Sequence, residues 1–105
     1  MTVVSVYATF ANRDEAERIG RALVEERLAA CVNILGDCHS IYRWHGVVES
    51  ADEVAAIFKT TAAAADRLIA RIAMLHSYDV PAAAVWRIDK LLAPYAQWVE
   101  DSVGP

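Results

Sequence analysis

Alternating apolar and polar positions in the middle of the chain predict two long β-strands. The first runs from Ala30 to Trp44 and the second from Val47 to Thr60. Gly46 lies between them, and a single glycine permits a tight reversal of the backbone. The sequence therefore predicts one long hairpin. A bulge is predicted at Gly36-Asp37, where the alternation is interrupted and then resumes.

Three stretches around this hairpin predict helices. In the first, Asn12 is a suitable N-cap and Glu15, three residues later, completes a capping box, with an apolar face that continues to about Leu28. The second follows Thr61 and has apolar residues at helical spacing, namely Ala65, Leu68, Ile69, Ile72 and Leu75. Pro94 suits the first turn of a short final helix, whose shared side carries Tyr95, Trp98 and Val99.

Two shorter strands complete the set, at Val3 to Phe10 and at Ala83 to Ile88. The resulting order contains two successive strand-helix-strand units. It predicts an α+β fold, a ferredoxin-like βαββαβ sandwich with a long β2–β3 hairpin and a short C-terminal helix, forming one domain over residues 1–105. Both long helices would cover one face of the antiparallel sheet, so the other face needs a different cover.

Composition narrows the classes of function. The 105 residues are 56% hydrophobic with few Gly and Pro, which argues against disorder and indicates surface buried against a partner. A net charge of −4 argues against nucleic-acid binding, which needs a Lys/Arg stripe. No apolar run reaches the length of a membrane span. The N-terminal residues lack the features of a secretory signal, so we expect a cytoplasmic protein.

Several segments together resemble one family, the CutA divalent-cation tolerance proteins. They are Glu26-Arg27-Leu28-Ala29-Ala30-Cys31-Val32-Asn33-Ile34, Tyr42-Arg43-Trp44-His45-Gly46 with Glu49 and Glu53, Lys59-Thr60, His76-Ser77-Tyr78-Asp79-Val80-Pro81, and Tyr95-Ala96-Gln97-Trp98. The resemblance spans essentially the whole chain. It implies a tight homotrimer, similar in architecture to the PII signalling proteins, and a role in tolerance of copper and other divalent metals.

The chain departs from the family pattern at two positions. Ser77 stands where the resemblance implies a proline, which loosens the loop backbone. Ala82 stands where it often implies an acidic residue, which removes a carboxylate from the same segment.

Three residues are candidate metal ligands, Cys31, His76 and Glu49. A thiolate selects soft metals such as Cu(I), and the family motif places a cysteine at Cys31. The alternative for Cys31 is an apolar strand residue that faces the helices, since most free buried cysteines serve as packing groups. His76 would be the proton-sensitive or metal-binding member.

A second group of residues predicts a ligand cleft at a subunit contact. Charged side chains on one strand face, with aromatic residues nearby, favour such a cleft, and the candidates are Tyr42, Trp44, Glu53, Lys59, Tyr78 and Trp98. Interface salt bridges are the alternative for the charged members. Trimer contacts are the alternative for Trp44 and Trp98, because large aromatic residues dominate interface energetics.

Catalysis is not predicted. The sequence contains no Ser/His/Asp order, Gly-rich phosphate loop, HExxH or paired CxxC motif. The leading hypothesis is a non-enzymatic homotrimer that binds copper or another divalent metal ion and needs no organic cofactor. The alternatives are a PII-like sensor of a small anionic metabolite at the subunit cleft and a stable trimeric scaffold for a partner protein.

Overall fold

The computed structural model describes residues 2–104 as seven elements in the predicted order. They are β1 (Val3–Phe10), α1 (Arg13–Glu25), β2 (Cys31–Trp44), β3 (Val47–Thr61), α2 (Ala62–Leu75), β4 (Ala83–Arg87) and α3 (Ala93–Ser102). The sheet order is β2-β3-β1-β4, and every neighbouring pair is antiparallel. This topology confirms the predicted ferredoxin-like sandwich.

The main core lies between one face of the sheet and the two long helices. Alternate strand residues such as Val6, Phe10 and Phe58 are fully buried there against Leu23 of α1 and Leu68 of α2. The apolar side chains that alternate along the strands therefore pack against the apolar faces of the two helices in one core layer.

Asn12 caps the N-terminus of α1 as predicted, but the Glu15 side chain accepts the Ala11 N–H and not the Asn12 N–H of a capping box. The Glu15 N–H donates a hydrogen bond of 2.8 Å to Asn12 Oδ1. The helix ends at Glu25, earlier than the predicted end near Leu28. The reason is the backbone of Arg27, whose φ of 61° is left-handed and cannot continue a right-handed helix.

The β2–β3 hairpin extends well beyond the helices and lengthens the molecule. The chain measures 44 × 26 × 22 Å, and its radius of gyration of 14.1 Å exceeds the value of about 13 Å expected for a compact chain of this length. A bulge interrupts β2 as predicted, but its extra residue is Leu35, between Ile34 and Gly36, one position before the predicted Gly36-Asp37. At the tip, His45 (φ 50°) and Gly46 (φ 80°) form the two-residue turn, and two positive φ values are the mark of a type I′ turn.

Within residues 2–104, α3 covers one end of the face of the sheet opposite the long helices. There α3 buries Val99 against Val3 and Ala30. The Arg27 guanidinium holds the end of α3 by donating to the carbonyls of Asp101 (2.8 Å) and Ser102 (3.3 Å). We call this side of the sheet the open face. Within residues 2–104, no helix combines the length and apolarity that crossing a bilayer requires.

Candidate functional site

A cavity of about 750 Å³ lies on the open face, between the hairpin and the loop that follows α2. Its floor comes from β1, β2 and β3, and its wall comes from the loop over residues 78–82. The lining residues are Tyr7, Thr9, Ser40, Tyr42, Arg43, Trp44, Glu49, Ala51, Glu53, Tyr78, Asp79, Val80 and Ala82.

Strand register places the floor residues side by side. The turn pairs Trp44 with Val47, so that Tyr42 lies opposite Glu49, and Ser40 lies opposite Ala51. Directly paired residues on antiparallel strands project from the same face. The two-residue turn thus brings the aromatic residues of β2 and the carboxylates of β3 together.

The loop wall is joined to the floor by one hydrogen bond. The Tyr78 hydroxyl donates to Glu53 Oε2 at 3.0 Å. Burial, followed by this bond and the negative charge of Glu53, raises the pKa of Tyr78 to about 12. Tyr78 therefore stays a neutral phenol at physiological pH and serves as a permanent donor to the carboxylate.

His76 lies beneath this wall with its side chain fully buried. The Tyr78 N–H donates to His76 Nδ1 (3.1 Å), so Nδ1 carries no proton and Nε2–H donates to the Thr9 carbonyl (2.8 Å). The ring also packs on Phe10 and Tyr78, with centroids 5.2 and 4.6 Å away. Both ring nitrogens have protein partners, so a metal ion would have to displace one of these bonds.

Glu15 is buried beside His76 and anchors the start of the loop. Its carboxylate accepts the N–H groups of Ala11 and Ser77, each at 3.0 Å, and lies 3.8 Å from His76 Nδ1. Burial raises the pKa of Glu15, but the hydrogen bond from the Ser77 side chain, those from the Ala11 and Ser77 N–H groups and the electrostatic interaction with His76 together bring the net pKa below the usual value. The carboxylate is therefore ionised and holds the loop against α1.

Cys31 lies at the other end of the open face. It pairs with Lys59, which alternates with the core residue Phe58, so Cys31 does not face the two long helices. The interpretation of Cys31 as a residue packed under those helices is therefore wrong. Its Sγ lies 3.6 Å from the Tyr95 hydroxyl of α3. Burial first, then this contact, raises the pKa of Tyr95 to about 12.

The structure brings together part of the predicted cleft. Tyr42, Trp44, Glu49, Glu53 and Tyr78 all line the cavity. Lys59 and Trp98 do not line it. Lys59 is opposite Cys31, and the Trp98 ring stacks on Tyr95 with centroids 5.7 Å apart.

The three candidate metal ligands lie in three separate places. Glu49 lines the cavity, His76 is buried beneath the loop, and Cys31 contacts α3. Over residues 2–104, no three or more His, Cys, Asp or Glu side chains form a group that could hold a metal ion. Cys31, His76 and Glu49 therefore do not form one metal site within a single chain in this structure.

The sequence analysis did not name eight of the thirteen cavity residues as candidates, among them Tyr7, Thr9 and Asp79. Tyr7 and Thr9 alternate with the core residues of β1. This alternation could have placed both side chains on the face opposite the core. Burial first, and then the nearby Cys38 and Glu53, raise the pKa of Tyr7. Asp79 lies inside the quoted segment after α2, but nothing in the sequence pairs that loop with the hairpin.

A ferredoxin-like sandwich with a projecting hairpin and a cavity on its open face defines the structural class of this small α+β protein. The family model described as "CutA1 divalent ion tolerance protein" matches residues 4–102, and the chain belongs to this family. The divalent-cation tolerance protein CutA of Thermotoga maritima is 39% identical over 96% of this chain and 99% of the relative. The protein of the same name from Thermus thermophilus is 40% identical over 94% of this chain and 96% of the relative.

Solved structures of relatives share the fold throughout. The crystal structure of CutA from Xylella fastidiosa superposes with a TM-score of 0.95 at 35% identity, and covers 99% of this chain and 100% of that one. The Cut A1 divalent cation tolerance protein from Thermus thermophilus gives a TM-score of 0.94 at 39% identity, over 97% and 99% of the two chains. The long hairpin and the helix after β4 are therefore features of the family fold.

Proposed function

We propose that this protein acts in divalent-cation tolerance as a cytoplasmic, non-enzymatic homotrimer that binds copper or another divalent metal ion. Membership of the family supports the role in cation tolerance. The observation that carries the assembly is the uncovered apolar surface of the hairpin, where Ile41 and Val48 lie on one face and are 72% and 59% exposed. Such a patch on a small soluble chain marks an interaction surface.

The separation of the candidate ligands supports a metal site shared between subunits. A threefold axis brings three copies of one side chain together, which supplies the ligands that one subunit does not gather. Cys31 is the candidate for this position, because it is a free thiol on the open face and thiolates bind soft metal ions. In a reducing cytoplasm both free cysteines stay available as ligands.

Titration calorimetry under anaerobic, reducing conditions tests this proposal with Zn(II) and Cu(I) as probes. We expect a stoichiometry of about one metal ion per three chains and binding weakened at least about tenfold by Cys31→Ser. Cys38→Ser is the matched control, because Cys38 lies on the same open face but opposite Glu53 in the extended hairpin. Equal binding by the wild type and Cys31→Ser would contradict the proposal.

A further inference from the structure

The His76 ring is held in its neutral form by two backbone groups. Its Nδ1 accepts the Tyr78 N–H at 3.1 Å, and its Nε2–H donates to the Thr9 carbonyl at 2.8 Å. Nδ1 is therefore the ring atom that takes up a proton, and a proton there ends the bond from Tyr78, because a protonated nitrogen is no longer an acceptor. The backbone of the loop after α2 is thus bonded directly to a titratable side chain.

A second partner for the protonated ring lies close by. Glu15 Oε1 is 3.8 Å from His76 Nδ1, and the two side chains are only 7% and 0% exposed. The pKa of Glu15 lies below its usual value, so the carboxylate is charged over the range in which histidine titrates, about pH 5 to 8. A shift of about 1 Å would bring the two atoms within the length of a charge-assisted hydrogen bond, about 2.7–2.9 Å. The ring therefore has two alternative partners at the same nitrogen.

The charges around His76 are mostly negative. The groups packed on the ring or bonded to it are the Thr9 carbonyl and the Phe10 ring of β1, the Tyr78 ring of the loop, the Glu15 carboxylate of α1 and, through the Tyr78 hydroxyl, the Glu53 carboxylate of β3. Arg18 of α1 is a cation near them, 3.9 Å from Glu15 Oε2, but its side chain is 60% exposed and solvent screens it. Burial opposes a charge on the ring, and the Glu15 carboxylate offsets that cost.

The two oxygens of Glu15 divide the loop into a held part and a released part. Oε2 accepts the Ser77 N–H at 3.0 Å, so Ser77 stays anchored when the ring turns to Oε1. Oε1 also accepts the Ala11 N–H, but a carboxylate oxygen has room for two donors. Tyr78 loses its backbone bond, and the residues from Tyr78 to Ala82 supply the cavity wall. The wall therefore moves with the released part of the loop.

We propose that His76 is a pH-sensitive switch, in which protonation moves its Nδ1 bond from the Tyr78 N–H to the Glu15 carboxylate and releases the loop from Tyr78 onward. The switch needs no metal ion and shares no residue with the metal position proposed at Cys31. Its residues are buried between α1, β1 and the loop within the subunit, so the switch is compatible with the proposed trimer.

NMR of the full-length protein in its native assembly tests the switch from about pH 8 to about pH 5, with a chelator present. We expect the nitrogen chemical shift of His76 Nδ1 to change from that of an unprotonated nitrogen to that of a protonated one. Over the same range, protection of the Tyr78 amide against hydrogen exchange, corrected for the intrinsic rate, should fall at least about tenfold. Protection of the Ser77 amide should stay constant, because its bond to Glu15 Oε2 is kept.

Three variants assign the response to the ring and its new partner. In His76→Asn, the side-chain amide oxygen can accept the Tyr78 N–H but does not titrate, so protection of Tyr78 should no longer depend on pH. Glu15→Gln removes the charge that receives the protonated ring, and the response should shift to lower pH by about one unit or more. The double variant His39→Gln, His45→Asn is the matched control, because it removes the other two histidines, which are exposed on the hairpin. Its response should equal that of the wild type.

Four outcomes would overturn the proposal. The first is a His76 ring that stays unprotonated at Nδ1 down to about pH 5. The second is a protonated ring whose titration leaves Tyr78 protection unchanged or lowers that of Ser77 equally. The third is a response that the hairpin control loses or that His76→Asn keeps. The fourth is a sedimentation mass that falls with the same dependence on pH, since the loop would then follow dissociation. The wild-type titration and the hairpin control decide the question even where a substitution of a buried residue prevents folding.

Discussion

Ser77 contributes a backbone N–H that the proline implied by the family pattern would lack. That N–H donates to the buried carboxylate of Glu15 at 3.0 Å. Ala11 supplies the other backbone donor, and His76 Nδ1 lies 3.8 Å away. The substitution therefore does more than loosen the loop, because it adds a donor to a buried charge that holds the loop against α1.

We expect Ser77→Pro to destabilise the protein by about 1–3 kcal/mol at pH 7, because a buried carboxylate loses a hydrogen-bond donor. Ser77→Ala is the matched control, since alanine keeps the backbone N–H and removes only the hydroxyl. Urea-induced unfolding of both variants measures the difference. Equal stability of the proline and alanine variants at pH 7 would show that the N–H contributes nothing.

The same hydrogen bond predicts a dependence on pH. The pKa of Glu15 is lower in the folded protein than in the unfolded chain. Its contribution is therefore fully present above the unfolded pKa of about 4.3 and is lost as the pH falls through the lowered folded pKa. The free-energy difference between Ser77→Pro and Ser77→Ala should thus be largest at neutral pH and shrink below about pH 4.

The two cysteines show what residue spacing alone could not predict. They are seven positions apart, so a regular strand would place them on opposite faces. In the structure Cys31 pairs with Lys59 and Cys38 pairs with Glu53, and both partners lie on the same face of β3. The bulge at Leu35 causes this change of parity, because it adds one residue to β2 and none to β3. The sequence predicted the bulge one position away, but its effect on distant side chains requires the strand pairing.

At the scale of elements, helix propensity and side-chain packing have opposite effects at the contact between α1 and β2. Gly20 is buried in the middle of α1, and a Cβ built there would lie 3.0 Å from Val32 Cγ1. Alanine is favoured over glycine in a helix by about 1 kcal/mol. Overpacking in a core typically costs about 1–3 kcal/mol, so packing should dominate.

We therefore expect Gly20→Ala to destabilise the wild type and to stabilise a Val32→Ala background by up to about 1 kcal/mol. The reversal is expected because Val32→Ala removes the atoms that a new Cβ would meet. Chemical unfolding of the four proteins in this double-mutant cycle measures the coupling. Additive effects of the two substitutions would mean that the glycine is not required by the close approach of β2.

Elements and their order could be predicted from the sequence, whereas the cavity could be predicted only in part. The sequence predicts that Tyr42 and Trp44 share one face of β2 and that Glu49 and Glu53 share one face of β3. Which residues of the two strands are paired depends on the two-residue turn at His45-Gly46. The loop wall could not be placed, since its position depends on bonds between residues far apart in sequence. The bond from Tyr78 to Glu53 is one, and the bond from His76 to Thr9 is another.

At the scale of the whole molecule, the hairpin exposes apolar residues on the face opposite the cavity. Ile41 and Val48 lie on that face, where they are 72% and 59% exposed. A hairpin that projects beyond its own core gains stability only when another surface covers these side chains. The proposed trimer supplies that surface.

We expect a sedimentation mass of three times 11.5 kDa for the wild type at micromolar concentration. Ile41→Glu with Val48→Glu should weaken association at least about 100-fold, because each subunit would bury two unpaired charges. Met74→Glu is the control, since Met74 on α2 is 75% exposed but far from the hairpin in the sequence and on a different element.

A wild-type mass of 11.5 kDa, or equal dissociation by the Met74 variant, would contradict this assembly. Metal binding through Cys31 requires several copies of the chain, so it should be lost in the dissociated double variant.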